Sequence, residues 1–163
     1  MAWSLLLADE GIVRSYRDRV HTRGEDACAY WLGALSSTGH GKLRAGRRPD
    51  GTSTVVSAHT FGYRLEYGLD ALEEGAVVRH ICDEAACQNP RHWRAGQRAD
   101  NIADYYARRH LAGGPLADVR GPRGRAVAIR AAIQAAAPDE VEAAIAAAVQ
   151  AGHPAGGQQT QLF

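Results

Sequence analysis

The segment His80-Ile-Cys-Asp-Glu-Ala-Ala-Cys-Gln-Asn-Pro-Arg-His92 concentrates metal-binding side chains in a short length of chain. Cys82, Cys87 and His92 follow one another at equal intervals, with His80 just upstream and Asn101 downstream. Thiolates and imidazoles are preferred zinc ligands in proteins. We therefore interpret residues 82–87 as a metal-binding knuckle, beside a histidine and an asparagine that would suit a hydrolytic site.

Composition leaves the question of a nucleic-acid partner open. The chain has 163 residues, which fits one domain, and a formal net charge of +1. Lysine occurs once, at Lys42, and the other 18 basic residues are arginine. Arginine is the better bidentate phosphate ligand, although a GC-rich genome would also favour it. Basic and acidic residues are segregated along the chain, and this can produce a basic face on a neutral protein.

The cysteine count and the hydropathy pattern indicate an intracellular setting. Three cysteines cannot all pair within one chain, which argues against a disulfide framework. The apolar stretch near the start is too short for a signal peptide, and no run approaches the length of a membrane span. We expect a cytoplasmic protein with no membrane partner.

Periodicity in the first half predicts a small antiparallel sheet between helices, and so an α+β class. The predicted elements are a helix over 3–20, strands over 29–35, 42–45 and 52–58, and a helix over 58–67 that ends at Gly68.

In the second half, strands over 76–81 and around 92–95 flank the knuckle, and a helix over 97–109 follows. Alternation along the first strand places Val78 and His80 on one face. For the helix, helical periodicity predicts two faces. The predicted buried stripe is Ala99, Ile102, Ala103 and Tyr106, and the other face carries Arg98, Asn101, Tyr105 and Arg108.

The predicted domain organisation has four parts: a main domain over 1–111, a linker over 112–124, an alanine-rich helical appendix over 125–151 and a disordered tail over 152–163. The appendix should contain helices over 127–137 and 138–151, the second with Pro138 at its first position. Its narrow apolar stripe would pack on the main domain or on a second copy of the chain, so a homodimer is one expectation.

The stretch from Cys28 to Asn101 resembles the His-Me finger (ββα-metal, or HNH) nucleases. It is most similar to the zinc-bearing His-Cys box homing endonucleases and to phage-type HNH proteins. The matching pieces are Cys28-Ala-Tyr-Trp-Leu-Gly-Ala, Ser57-Ala-His-Thr-Phe-Gly-Tyr, Val78-Arg-His-Ile-Cys, Asn89-Pro-Arg-His-Trp and Asn101.

This resemblance implies a fold and a site. Structural zinc would be held by Cys28, Cys82, Cys87 and His92 in a closed tetrahedral set, within a ββα-metal finger. His80 would be the general base, and Asn101 would be the ligand of a catalytic Mg²⁺. The implied activity is hydrolysis of phosphodiester bonds in DNA. The basic residues that we expect to contact DNA are Lys42, Arg44, Arg47, Arg48, Arg64 and Arg98.

The chain departs from the family pattern at Arg79, where many relatives carry an aspartate that is a second metal ligand. No cysteines follow Asn101, so the second zinc site of the His-Cys box group is missing. The alternative function is therefore a zinc-stabilised DNA-binding module with weak or no activity. A nuclease directed at RNA or at nucleic-acid structure is a third option, because the motif does not specify the sugar.

The carboxyl-terminal residues Gln159-Thr-Gln-Leu-Phe163 resemble the short peptide with which bacterial DNA enzymes dock on the replication sliding clamp. Gln159 would lead, and Leu162 and Phe163 would fill an apolar pocket. A chance match to so short a pattern is the competing explanation.

Overall fold

The computed structural model describes residues 3–46 and 51–154, and these form a mixed α+β fold. The predicted fold class is confirmed at this level. The described residues contain six α-helices and three small antiparallel sheets: α1 (Trp3–Ala8), α2 (Glu10–Arg17), β1 (Val20–His21), β2 (Tyr30–Trp31), β3 (Ala34–Leu35), β4 (Gly41–Ala45), β5 (Thr54–Ser57), α3 (Ala58–Tyr67), β6 (Val77–His80), β7 (Trp93–Gly96), α4 (Arg98–Arg108), α5 (Gly121–Ala135) and α6 (Val141–Gln150). Within these ranges, no helix combines the length and the apolarity needed to cross a membrane.

The amino-terminal helix predicted over 3–20 is in fact two helices. Asp9 ends the first and caps the second, because its carboxylate accepts hydrogen bonds from the backbone N–H groups of Gly11 (2.8 Å) and Ile12 (3.1 Å). The prediction was also too long, since α2 ends at Arg17 and Val20 already belongs to β1.

The strand predicted over 29–35 is divided between two sheets. β2 pairs with β1, whereas β3 joins β4 and β5 in a three-stranded sheet. Trp31 lies in the main core, and its indole packs so closely against Gly41 that an added methyl group there would lie 2.7 Å from the ring. The strand predicted over 42–45 is confirmed as part of β4, and the one over 52–58 shortens to β5.

The β6–β7 hairpin carries the knuckle between its strands. Val77 pairs with Gly96 and His80 pairs with Trp93 in an antiparallel register. Val78 and His80 are buried while their neighbours along the strand are half-buried, so the predicted sharing of faces is confirmed. α4 follows β7 directly and has a capping box formed by Gln97 and Asp100.

The predicted orientation of α4 was wrong. No residue of this helix is buried, and Ile102 and Tyr106 of the expected inner stripe are 45% and 58% exposed. The half-buried residues are Asp104 and Arg108, which form ion pairs with the hairpin and the knuckle. The helix is therefore held by charged contacts, and the apolar stripe points away from the hairpin.

The carboxyl-terminal helices are part of the main body rather than an appendix. α5 begins at Gly121, inside the predicted linker, and α6 begins only at Val141, so Pro138 precedes the helix. Ile129, Ile133 and Ile145 pack around Tyr30 in a second core. The prediction of a disordered tail over 152–163 is wrong at its start, because Gly152 is buried and its carbonyl accepts a hydrogen bond from the backbone N–H of Val119 (3.0 Å). Residues 155–163 of that tail lie outside the described residues.

A buried ion pair joins α5 to the knuckle. Arg125 Nε lies 2.6 Å from a carboxylate oxygen of Glu84, whose residue is only 1% exposed. Arg125 also contacts Asp118 (3.4 Å), and Asp118 forms a second ion pair with Arg120 (2.6 Å). Such pairs are costly to break, because removal of one partner leaves a buried charge without compensation.

We expect Arg125→Met to lower the free energy of unfolding by about 3–5 kcal/mol, since Glu84 loses its partner. Denaturant unfolding followed by circular dichroism measures the change. Arg14→Met on the exposed side of α2 is the matched control and should stay within about 0.5 kcal/mol of the parent. Adding Glu84→Gln to Arg125→Met should restore part of the loss. An Arg125→Met protein as stable as the parent would show that this pair does not stabilise the fold.

Candidate metal centre and adjoining cavity

Three cysteines and one histidine converge on a single point. Ligand atoms of Cys28, Cys82, Cys87 and His92 all lie within 4.8 Å of one another. The Nδ1 atom of His92 is 3.6 Å from the sulfur of Cys28 and 3.4 Å from that of Cys87. The four side chains predicted as zinc ligands can therefore hold a metal ion such as zinc.

Backbone pairing brings the distant Cys28 to the knuckle. Gln88 donates to the carbonyl of Ala29 (2.7 Å), and Trp31 donates to the carbonyl of Ala86 (3.1 Å). These bonds lie on both sides of an isolated bridge between Tyr30 and Cys87. The approach of Cys28 is thus set by the main chain and does not depend on side chains alone.

Asn89 closes the same junction with its side chain. Its amide nitrogen donates to the carbonyls of Glu25 (2.9 Å) and Ala27 (2.7 Å), while its oxygen accepts from the backbone of Arg91. The backbone N–H of Asn89 also points at the sulfur of Cys87 (3.4 Å). An N–H donor of this kind stabilises a thiolate, the form of cysteine that binds metals.

The electrostatics of the cluster suit a dication. Hydrogen bonds from Cys28 and Cys87 lower the pKa of Cys82 to about 2, whereas the pKa of Cys28 is raised because it hydrogen-bonds Cys82 and Cys87. The opposite directions of these shifts mean that the cluster favours loss of a proton from Cys82 before Cys28. A zinc ion would replace the thiol protons, and a Cys₃His set would leave no position open for a substrate.

His80 and Asn101 line one cavity of about 260 Å³ beside this cluster. The wall also contains His40, Asp83 and Arg108. The predicted catalytic residues thus open onto a common space, although they come from a strand and from a separate helix.

The orientation of His80 is set by the knuckle. Its Nε2 atom lies 3.0 Å from the carbonyl oxygen of Cys87, a geometry in which Nε2–H donates and Nδ1 is left as an acceptor. Burial lowers the pKa of His80, so the imidazole is neutral at pH 7. A neutral imidazole with one free nitrogen can accept a proton.

Two further histidines pack against His80, and neither is among the residues predicted for the site. The ring centroids of His59 and His40 lie 4.9 and 5.8 Å from that of His80. Burial lowers the pKa of His40 to about 4, and its Nδ1 is 3.0 Å from the hydroxyl of Thr38. The Nδ1 atom of His59 is buried without a partner. Nothing in the spacing of His40 or His59 links either residue to position 80.

The residues expected to contact DNA differ in whether their side chains are available to a partner. Lys42 and Arg44 project from one face of β4, and Arg98 is exposed at the start of α4. Arg64 is engaged inside the fold, where it donates to the carbonyls of Leu69 and Leu72 and its guanidinium lies over the ring of Trp3. Neither Lys42 nor any of these arginines lines the cavity. Of the remaining predicted residues, Arg47, Arg48, Gln159, Leu162 and Phe163 lie outside the described residues.

A protein of a bacterial virus shares part of this sequence. The chain is 32% identical over 77 residues to Protein 7.7 of Escherichia phage T7, a match that covers 47% of this chain and 53% of that protein. The chain thus spans about half the length of the relative it matches. No model of a known protein family matches the chain, and no solved structure does.

We expect the natively purified protein to carry about one zinc ion per chain, released as the cysteines react with a mercurial thiol reagent. His92→Ala should lower both the zinc content and the melting temperature, because it removes one of four ligands. His110→Ala, at an exposed histidine, is the matched control and should change neither. Full zinc retention and unchanged stability in His92→Ala would contradict the assignment.

Proposed function

We propose that this chain is a metal-dependent DNA endonuclease of the His-Me finger type, which hydrolyses phosphodiester bonds. The main support is that His80 and Asn101 line one cavity beside a Cys₃His cluster. The order β6, knuckle, β7, α4 is also the order of elements that a ββα-metal finger requires. The partial similarity to a phage protein agrees with the resemblance to phage-type HNH proteins.

In this proposal His80 is the general base. Because Nε2 is held by the carbonyl of Cys87, Nδ1 is the nitrogen that would accept a proton from the attacking water. The low pKa of this imidazole keeps it unprotonated at neutral pH. The same knuckle that holds the metal cluster would thus orient the base.

Asn101 is the proposed magnesium ligand. Mg²⁺ prefers oxygen ligands and keeps several waters, so one protein amide together with phosphate oxygens can suffice. The cavity also presents the carboxylate of Asp83, which is a donor of the same hard kind. When bound, the ion would stabilise the charge on the phosphorane and on the leaving 3′ oxygen.

The DNA duplex would lie along the basic residues near the cavity. Lys42 and Arg44 of β4 and the exposed Arg98 of α4 are the described candidates for phosphate contacts. Such contacts supply sequence-independent affinity that weakens steeply with salt.

The exposed apolar side of α4 would also be available to a second copy of the chain. Docking on a sliding clamp through Gln159, Leu162 and Phe163 stays a prediction.

A DNA-binding module without activity is the second candidate, and Arg79 is the observation that favours it. This residue stands where a second metal ligand is expected, so the site has one ligand fewer. Its guanidinium, however, pairs with Asp104 (2.9 Å) and does not line the cavity. Arg79 therefore removes a ligand without obstructing the place where His80 and Asn101 meet.

We expect His80→Ala to slow Mg²⁺-dependent nicking of supercoiled plasmid by about 10²–10⁴-fold, because the general base is lost. Asn101→Ala should abolish the response to Mg²⁺, and DNA binding in gel-shift assays should persist in both variants. His110→Ala is the control with parental activity. If the parent protein binds DNA but nicks it no faster than His80→Ala does, with either Mg²⁺ or Mn²⁺, the binding-module function is correct.

A further inference from the structure

The exposed large apolar side chains of this protein are concentrated around α4. Of the ten such side chains among the described residues, five lie between residues 102 and 119. On a helix, residues three and four positions apart are neighbours, so the members on α4 share one side. Large exposed apolar surfaces on soluble proteins commonly mark a binding site. We call this set the apolar patch, and its members are Ile102, Tyr105, Tyr106, Leu111 and Val119.

The end of the described chain lies beside this patch. The carbonyl of Gly152 accepts a hydrogen bond from the backbone N–H of Val119 (3.0 Å). A methyl group added to Gly113, two residues after Leu111, would lie 3.6 Å from the ring of His153. The residues that follow in the sequence therefore start next to two members of the apolar patch.

Those residues have a composition that suits an apolar surface. The tail segment, Ala155-Gly-Gly-Gln-Gln-Thr-Gln-Leu-Phe163, has no charged side chain and carries two large apolar residues, Leu162 and Phe163. Its glycines at 156 and 157 permit the tight turn that a return towards the patch would need. The segment thus combines a place to turn with two side chains that would gain from burial.

Length allows the tail segment to reach every part of the patch. Nine extended residues span at most about 30 Å, whereas α4 is about 17 Å long. A short tether of this kind gives an effective concentration on the order of 1 mM. A site with a dissociation constant of about 0.1 mM would then be about 90% occupied. A second copy of the chain at micromolar concentration would need a much higher affinity to occupy the same surface.

We propose that the tail segment folds back on its own chain and docks Leu162 and Phe163 on the apolar patch. Tyr105 of the patch also lines the cavity that contains His80 and Asn101. A docked tail would therefore lie beside the cavity and limit the entry of DNA, a step that rests on the nuclease function proposed above. The same two apolar side chains are those expected to fill the pocket of a sliding clamp, so docking would also withhold them from a clamp.

Val119 and Leu5 provide a matched pair of positions for a test. Their side chains are exposed to a similar extent, 66% and 72%. Val119 belongs to the apolar patch, whereas Leu5 lies on α1 and lines a different cavity that no member of the patch lines. Val119→Asp and Leu5→Asp both place a carboxylate at an exposed apolar position. Only the first should disturb a docked tail.

The first experiment places the photoreactive analogue p-benzoylphenylalanine at position 163 of the full chain and maps its cross-links by mass spectrometry. We expect cross-links to residues 102–119 of the same chain, with a yield that does not change with protein concentration. Val119→Asp should lose most of this yield, as should Leu111→Asp, whereas Leu5→Asp should keep it. Cross-links that form only between two chains, or that do not reach the patch, would overturn the inference.

The second experiment measures affinity for a random-sequence DNA duplex without Mg²⁺, so it does not depend on cleavage. If the tail is docked about 90% of the time, the fraction of chains open to DNA is about one tenth. The double variant Leu162→Ser and Phe163→Ser should then bind DNA about tenfold more tightly than the parent. Equal affinity in the two proteins would refute the limit on DNA entry.

The two experiments separate this inference from the proposed function. Cross-links to the patch in a protein that neither binds nor nicks DNA would refute the nuclease function and leave the docked tail standing. Mg²⁺-dependent nicking by a protein without cross-links to the patch would refute the docked tail and leave the nuclease function standing.

Discussion

The convergence of three sulfurs and one imidazole nitrogen within 4.8 Å is the constraint on which the site depends. Cys28 and His92 are 64 residues apart in the chain, yet the backbone bonds around Tyr30 hold the Cys28 loop against the knuckle. A zinc ion at this junction would cross-link two distant segments and so reduce the entropy of the unfolded chain. With such an ion bound, the knuckle would be fixed where the carbonyl of Cys87 contacts Nε2 of His80.

Charged contacts, rather than apolar burial, hold α4 against the hairpin. Arg79 pairs with Asp104, and Arg108 pairs with Asp83 and Asp104. This explains why the apolar residues of α4 face away from the hairpin, and it keeps polar groups along one wall of the cavity. Asp83, a non-glycine residue with a positive φ of 57°, lines that cavity as well. The ion pairs that attach α4 to the hairpin therefore include Asp83 and Arg108, which also line the cavity.

The carboxyl-terminal helices contact the knuckle through a buried network of ion pairs. Glu84 lies between the two local cysteines, and its carboxylate is buried against Arg125 of α5. Asp118 and Arg120 extend this network to the end of α6, where Arg120 donates to the carbonyl of Ala148 (2.8 Å). A substitution in α5 can therefore disturb the Cys₃His cluster, although none of the four side chains comes from that helix.

Local spacing in the sequence predicted the Cys/His cluster and the arrangement of faces along β6. The intervals between Cys82, Cys87 and His92 predicted the cluster, and strand alternation correctly placed His80 on the same face of β6 as Val78, because both patterns depend on near neighbours. Only the tertiary structure decided which face of α4 turns inward. It also showed that Arg64 bonds to the backbone and packs on Trp3, whereas Arg108 lines the cavity. It also brought His40 and His59 against His80. Periodicity shows that a helix has two faces, but the chemistry of the surface it meets selects between them. Here that surface carries charges contributed by segments that are remote in the chain.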